Sequence, residues 1–491
     1  MRRGNASQSG THLKVVRPSG NGHSGMPASG GIDDGSRAGG AGRGAAAADG
    51  GDSAGSVEKQ AGTASGGNGV RPPAAVDRTA VDTEGNSAVS TAETARTTYR
   101  DVLVTREFRY LLSSALLSMI GDQLAKVALS ILVFQRTSSA VLTALTYGLS
   151  YLPWVIGGPL LSTLADRLPR RRVLITCDLA RGLLIGLIAV PHIPIAVLLM
   201  ILLVANAFTP PFEAARSALN SQILTGDRYV VGVGLSLTAS YVCNVGGLLA
   251  GGALVALMTA RGALLIDAVT FLASAGLIVL GVRHRATEAA PSESAWGTIS
   301  GGARAVFSDP RLRGIMLVVC LSSCFSFAWE GIAAPWASEL HHGARVVGVL
   351  LAAGAAGIVI GSIVISRLLT ERTRHRLALP LAVIAPGLLG LTMLTGHNVA
   401  GSIALVVISG ACAAFAIPLN SVFMQSVPTE LRGRAFGVAQ GGLMASQGLG
   451  VLVAGALAGA MRPSLAIGVL GLIGAALTLV IGRLQPMRLG S

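Results

Sequence analysis

Charge is scarce in this chain: Asp, Glu, Lys and Arg make up 13% of its 491 residues, while 51% are hydrophobic. A soluble globular domain carries about 25% charged residues, so an ordinary water-facing surface is excluded and a bilayer is the natural solvent. Lysine occurs only at Lys14, Lys59 and Lys126. The five cysteines, Cys177, Cys243, Cys320, Cys324 and Cys412, all lie inside apolar stretches, where a free thiol behaves as a small hydrophobe. No disulfide framework is implied. Cys320 and Cys324 share a helical face, but no further Cys or His stands at ligand spacing, so no metal site is expected. The chain also lacks a Gly-rich phosphate loop ending in Gly-Lys-Ser/Thr, a His-Glu-x-x-His pair and a defensible Ser or Cys nucleophile arrangement. Neither an enzyme nor a cofactor is expected.

Acidic residues trail basic ones, 24 against 38, for a formal charge of +14. In a soluble protein that balance would suggest nucleic acid. Here the basic residues sit in short clusters between apolar spans, which is how membrane orientation is encoded, and no nucleic-acid partner is expected. Residues 1–100 contain no apolar run long enough to bury and are rich in Gly, Ala, Ser and Thr, the composition of a disordered tail. No apolar h-region follows Met1, so a cleavable signal peptide is not expected and the first span has to direct insertion.

From Leu111 onward, apolar stretches recur, each long enough to cross a hydrocarbon core of about 30 Å at 1.5 Å per residue. Six are predicted at Leu111 to Phe134, Val141 to Leu164, Val173 to Val190, Ile193 to Phe212, Val230 to Met258 and Ala263 to Val282. Residues 283–313 are polar, with Pro291, Ser292, Glu293 and Ser294 marking a linker. Six more are predicted at Gly314 to Trp336, Arg345 to Leu369, Leu377 to Thr395, Ala400 to Gln425, Ala435 to Met461 and Pro463 to Gly482. The expected fold is therefore all-α and integral to the membrane: twelve transmembrane helices in two six-helix bundles, 101–282 and 314–491.

Arginines on alternate loops favour one side by roughly five to one, which places both termini and the linker in the cytoplasm of a bacterial inner (plasma) membrane. The two halves repeat. Val155-Ile156-Gly157 with Ser162 and Leu164 matches Val359-Ile360-Gly361 with Ser366 and Leu368, at an offset of 359 − 155 = 204. Gly246-x-Leu248-x-Ala250-Gly251 matches Gly450-x-Leu452-x-Ala454-Gly455, at 450 − 246 = 204. A shared offset favours duplication of a six-helix unit, a construction used by one large group of secondary transporters.

The loop after the second span reads Ser162-Thr-Leu-Ala-Asp166-Arg167-Leu-Pro-Arg170-Arg171-Arg172. It resembles the signature loop of the major facilitator superfamily, an Asp-Arg followed by basic residues between helices 2 and 3, with Ser162 and Pro169 where the family often has glycine. The resemblance covers nearly all of Leu111 to Gly482. It implies a solute carrier working by alternating access, in which Asp166 faces the N-terminus of helix 11, next to Arg432 and Arg434, as part of a conformational switch. The alternative for Arg170 to Arg172 is plain obedience to the positive-inside rule, with Arg167 part of the signature loop. Gly121-Asp122, Asp178 with Arg181, Ala215-Arg216-Ser217 and Leu431-Arg432-Gly433-Arg434 are similar to drug and siderophore exporters of the macrolide-efflux and enterobactin-exporter type. That likeness implies proton-coupled export of amphipathic small molecules by a monomer, with uptake of a small nutrient, or a non-transporting sensor or assembly protein, as alternatives.

Several residues inside the spans are candidates for the work. Asp122 and Lys126 stand four apart on one face of helix 1, about 17 Å from its cytoplasmic start and so near the midplane. They are either a proton or substrate site or a structural ion pair with each other. Glu330, beside Trp329, is either protonatable or a hydrated interfacial residue near Pro335 and Trp336. Asp178 and Arg181, three apart near the cytoplasmic end of helix 3, read as a gate or loop anchor. Asn206, Asn244, Gln440 and Gln447 are polar residues within spans that either contact substrate or hydrogen-bond between helices. Gly246, Gly247, Gly251 and Gly252 permit close helix packing, and His341-His342 is expected in an exposed outer loop without a role.

Overall fold

The computed structural model describes residues 98–156, 168–285, 295–428 and 431–484. Among them every regular element is helical. The first half comprises α1 (Arg106–Thr137), α2 (Ala140–Val155), α3 (Arg170–Ile188), α4 (Ile195–Ile223), α5 (Asp227–Leu257) and α6 (Ala260–Gly281). The second comprises α7 (Pro310–Glu339), α8 (Ala344–Leu368), α9 (Glu371–Thr395), α10 (Val399–Ser426), α11 (Arg432–Ala460) and α12 (Pro463–Leu484).

Ten of these are long and apolar enough to cross a bilayer by themselves. The remaining two fall short for separate reasons. The described part of α2 stops at Ile156, within a predicted span that continues to Leu164, and α3 carries Arg170, Arg171, Arg172, Asp178 and Arg181 in 19 residues. Together they make the twelve expected from hydropathy. Most helices begin before the predicted spans, by up to six residues, because helical hydrogen bonding continues into the polar flanks, while most C-terminal ends fall within three residues of the prediction.

Two expectations change. The predicted tail 1–100 lies outside the described residues except for its last three, of which Tyr99 and Arg100 open a short helix, Tyr99–Leu103, closed by a capping box between Thr98 and Asp101. The linker contains a helix, Ala295–Ser308, that packs on α11. The linker's Gly302 meets the Arg434 carbonyl so closely that a Cβ there would sit 2.5 Å from it.

Breaks inside the helices follow from residue chemistry. α4 breaks at Phe208, where Pro210 and Pro211 occupy the first turn of its second piece and remove two N–H donors. α7 tightens into a 3₁₀ turn at Ala328–Ile332 and thereby displays Trp329 and Glu330 on the inner face. Between α1 and α2 the chain reverses in two residues: Ser138 adopts left-handed φ of 51°, and the Ser139 side chain caps the Leu142 N–H.

Within the first half, α1 packs on α5 and α6, and α3 packs on α6; within the second, α8 packs on α10, and α9 and α7 on α12. Large apolar side chains such as Leu183, Leu280 and Leu394 lie exposed on the outside, as a hydrocarbon surround requires. Ser114, Ser118 and Gln123 are buried on the inner face of α1.

The two halves meet along α5–α8 and α2–α11. At the first crossing a Cβ on Gly348 would lie 2.7 Å from Gly252 Cα, and one on Gly252 would lie 2.8 Å from Gly348 Cα. At the second, a Cβ on Gly455 would lie 2.2 Å from Ala144 Cβ. The sequence offset relates the two crossings to within one residue, since 348 − 204 = 144 and 455 − 204 = 251, the neighbour of Gly252. Both lie toward the end of the molecule remote from the linker. On the linker-side portions of the same helices, Gly234, Gly437 and Gly441 have nothing within 4 Å of a Cβ position. Among the described residues, the closest glycine contacts between the halves therefore lie at one end.

Candidate functional site

A cavity inside the first half is lined by Asp122 and Lys126 of α1, Tyr147 of α2, Arg181 of α3, Asn206 of α4 and Phe271 of α6, with Leu129, Ile185 and Leu202 supplying apolar wall. Its charge pairing differs from the spacing-based expectation. Asp122 is ion-paired with Arg181 and not with Lys126. The i, i+4 spacing puts Asp122 and Lys126 on one face, but a planar guanidinium from the facing helix reaches the carboxylate head-on, which a neighbour on the same helix cannot do as well. Lys126 instead is the cation whose charge acts on Glu330.

Arg181 is 4% exposed and lies over the Phe271 ring, its guanidinium carbon 4.3 Å from the centroid. Asp178, one turn earlier, is fully buried and accepts from the Ser274 hydroxyl of α6 at 2.5 Å. The pair Asp178 and Arg181 therefore sits among the helices at the base of the cavity and does not anchor a loop.

Asp267 of α6 completes this cluster and was missed from sequence. It is fully buried within the span, and its Oδ1 lies where a Cβ on Gly121 would come within 2.1 Å. Gly121 lacks a side chain at the one point where α6 brings a carboxylate against α1. The signal that identifies Asp267 was available: an ionisable residue inside an apolar span.

Glu330 accepts a hydrogen bond from Tyr147 Oη at 2.7 Å. The bond joins the two halves, and Tyr151 stacks obliquely beside Tyr147 with ring centroids 6.2 Å apart. Glu330 is half-buried and faces this partner, while Trp329 and Trp336 pack edge to face behind it at 6.0 Å.

Asn206 lines the cavity with its Nδ2 buried and unpartnered, and Asn244 of α5 has a buried, unpartnered Oδ1. Gln440 lines a smaller pocket in the second half with Asn420, Met316, Cys320, Phe423 and Phe436, and Gln447 is half-buried two turns further along α11. Among the described residues, Asn206 and Asn244 make no interhelical side-chain bond.

Asp166 and Arg167 of the signature loop lie outside the described residues. Arg170 donates to the Ala218 carbonyl at 3.2 Å and Arg171 to the Val279 carbonyl at 2.7 Å, so they tie the start of α3 to α4 and α6. Arg172 is exposed. Arg432 donates to the Val427 carbonyl at 3.2 Å, and Arg434 packs on the linker helix. His341 stacks on His397 with ring centroids 4.7 Å apart.

Two sets of apolar helices long enough to span a bilayer, the first enclosing a cavity lined by charged and apolar side chains, define a multi-pass membrane protein. The model of the Major Facilitator Superfamily matches residues 111–451 and 331–488, and the chain belongs to that superfamily. It is a multi-pass membrane transporter whose substrates are small molecules, and it is not an enzyme. The uncharacterized MFS-type transporter YvqJ of Bacillus subtilis (strain 168) is 24% identical over 285 residues, covering 55% of this chain and 67% of YvqJ. The uncharacterized MFS-type transporter YkuC of the same organism is 28% identical over 191 residues, covering 37% of this chain and 43% of YkuC. Among solved structures, the nucleoside transporter NupG superposes with a TM-score of 0.61 at 14% identity, covering 76% of this chain and 98% of that one. A bacterial homologue of the human lysosomal transporter Spinster, inward-facing and unoccupied, has a TM-score of 0.59 at 14% identity, with 79% and 96% covered. A bacterial homologue of the iron transporter ferroportin in the inward-facing state has 0.59 at 16%, with 77% and 98% covered. These likenesses concern the fold.

Proposed function

We propose that the chain is a proton-coupled exporter of amphipathic small molecules in a bacterial inner membrane, with both termini and the linker cytoplasmic and a single chain as the working unit. The observation that carries this reading is the cleft of the first half, where Asp122 and Lys126 share a wall with Leu129, Ile185, Leu202 and Phe271. An amphipathic solute needs such a surface: apolar area to bury and a few fixed charges to orient it. A proton-coupled carrier needs a carboxylate that the cavity can reach, and Asp122, one-third exposed and paired to Arg181, supplies one. The short motifs shared with the macrolide-efflux and enterobactin-exporter type support the outward direction. With the arginine-rich loops on the cytoplasmic side, the glycine crossings fall at the outer end, which supports reading this conformation as inward-facing.

In this state Tyr147–Glu330 and the two glycine-rich crossings hold the outer end shut. By the likeness of its loop to the family's signature, Asp166 with Arg167 is the proposed switch of the cytoplasmic end, acting with Arg432 and Arg434.

The test is Asp122→Asn in reconstituted vesicles, with ethidium and a macrolide as probes. Transport driven by a pH gradient should be abolished while probe counterflow persists, because counterflow moves the carrier without net proton transfer. Accumulation of either probe at the wild-type rate in Asp122→Asn would refute the role of Asp122.

A further inference from the structure

Three carboxylates surround one guanidinium inside the first half. Asp122 of α1 is ion-paired with Arg181 of α3, and the charges of Asp178 and Asp267 act on the same guanidinium. Their exposure differs sharply. Asp122 is 33% exposed to the cavity, whereas Asp178 and Asp267 are at 0%. Fully ionised, the set would place three negative charges against one positive charge among packed helices. An uncompensated buried carboxylate is costlier than the same group with its proton on.

The hydrogen bonding distinguishes the two buried acids. Asp178 accepts from Ser274 at 2.5 Å, leaving Oδ1 unpartnered. Asp267 has less: the Thr270 hydroxyl bonds the Asp267 backbone carbonyl at 2.7 Å and lies 3.3 Å from Oδ1, while Oδ2 is buried with no partner. The charged groups acting on Asp267 are Asp122 from α1 and Arg181 from α3; α5, which also packs on α6, presents none. Gly121 removes the side chain that would keep the Asp267 carboxyl away from the α1 turn bearing Asp122.

We propose that Asp267 is a second proton-binding group, exchanging its proton with the cavity through Asp122 while Arg181 serves as their shared counter-charge. In one arrangement Asp267 is a neutral carboxylic acid and Asp122 is a carboxylate paired with Arg181. In the other, the proton has passed to Asp122 and Arg181 pairs with the Asp267 carboxylate. One proton moves, one ion pair is exchanged and the total charge is unchanged. Asp122, facing the cavity, then releases the proton to water. The use of this exchange in transport rests on the proton-coupled reading above, but its existence does not.

The test is infrared spectroscopy of the purified full-length protein in detergent, titrated in H₂O and D₂O and needing no substrate. At neutral pH the wild type should show the C=O stretch of a protonated carboxylic acid, shifted by deuterium. Asp267→Asn should lose absorption equal to one carboxyl group, and Asp267→Glu should keep it at a moved frequency. Asp122→Asn should retain the band but slow its deuterium exchange several-fold. Absence of the band in the wild type overturns the proposal whatever the variants do, as does an unchanged band in Asp267→Asn. Exchange in Asp122→Asn as fast as in the wild type overturns the route through Asp122. A band behaving as expected in a protein that shows no proton-driven flux would overturn the coupling reading and leave the proton site standing.

Discussion

The glycine crossing of α5 and α8 makes a quantitative test of alternating access possible. Gly348→Ala adds one Cβ, 2.7 Å from Gly252 Cα and 2.8 Å from the Leu248 carbonyl oxygen. Ordinary carbon contacts lie at about 3.5–4.0 Å, so the two backbones must part by about 1 Å. Backbone cannot swing aside as a flexible side chain can, and overpacking of this kind costs about 1–3 kcal/mol. The cost falls only on the state in which this end is shut. Alanine also favours the helix over glycine by about 0.5–1 kcal/mol, but it does so in both states and cancels from their ratio. The closed-to-open ratio at this end should therefore fall by about 5- to 150-fold. Spin labels at Met258→Cys and Gly343→Cys, just beyond the ends of α5 and α8, read the change as a distance distribution in a background where the five native cysteines are replaced. Gly246→Ala is the control, since a Cβ there meets nothing within 4 Å. A folded Gly348→Ala protein with the same distribution as Gly246→Ala would refute the claim that this crossing latches the end.

Tyr147→Phe removes the hydroxyl that donates to Glu330 across the halves, a hydrogen bond of net worth about 0.5–1.5 kcal/mol; the same label pair should show the latched end opening, and an unchanged distribution would make the bond incidental. Arg181→Ala strips the counter-charge from Asp122, Asp178 and Asp267, and breaking a buried pair costs about 3–5 kcal/mol. Thermal melting in detergent should fall, and adding Asp122→Asn should restore part of the loss; strictly additive losses would mean that the two residues are not coupled. Cysteines placed at Ser292, in the linker, and Ser338, near the end of α7, should react with membrane-impermeant reagents from opposite faces, and equal labelling from outside would refute the assigned orientation.

Hydropathy alone predicted twelve spans, because an apolar stretch of bilayer length has one comfortable solvent and one backbone conformation that satisfies its hydrogen bonds there. Among the described residues, α3 shows where this signal weakens. α3 is dense in charge because it carries both the arginine cluster Arg170 to Arg172 and Asp178 with Arg181. The 204-residue repeat was readable too, and Gly455 falls on a crossing between the halves while its counterpart Gly251 packs on α1, next to the crossing residue Gly252. Partnership was not readable. Asp122 and Lys126 stand one helical turn apart, and spacing pairs them; only the packing of α3 and α6 against α1 puts Arg181 on Asp122 and brings Asp267 beside Gly121. Glu330 likewise found its partner 183 residues away in Tyr147. Local periodicity specifies which residues share a face of one helix, and so the sequence by itself determined a membrane-spanning, duplicated helical carrier. Which charges meet is a property of how helices distant in sequence cross, and that was decided only in the tertiary structure.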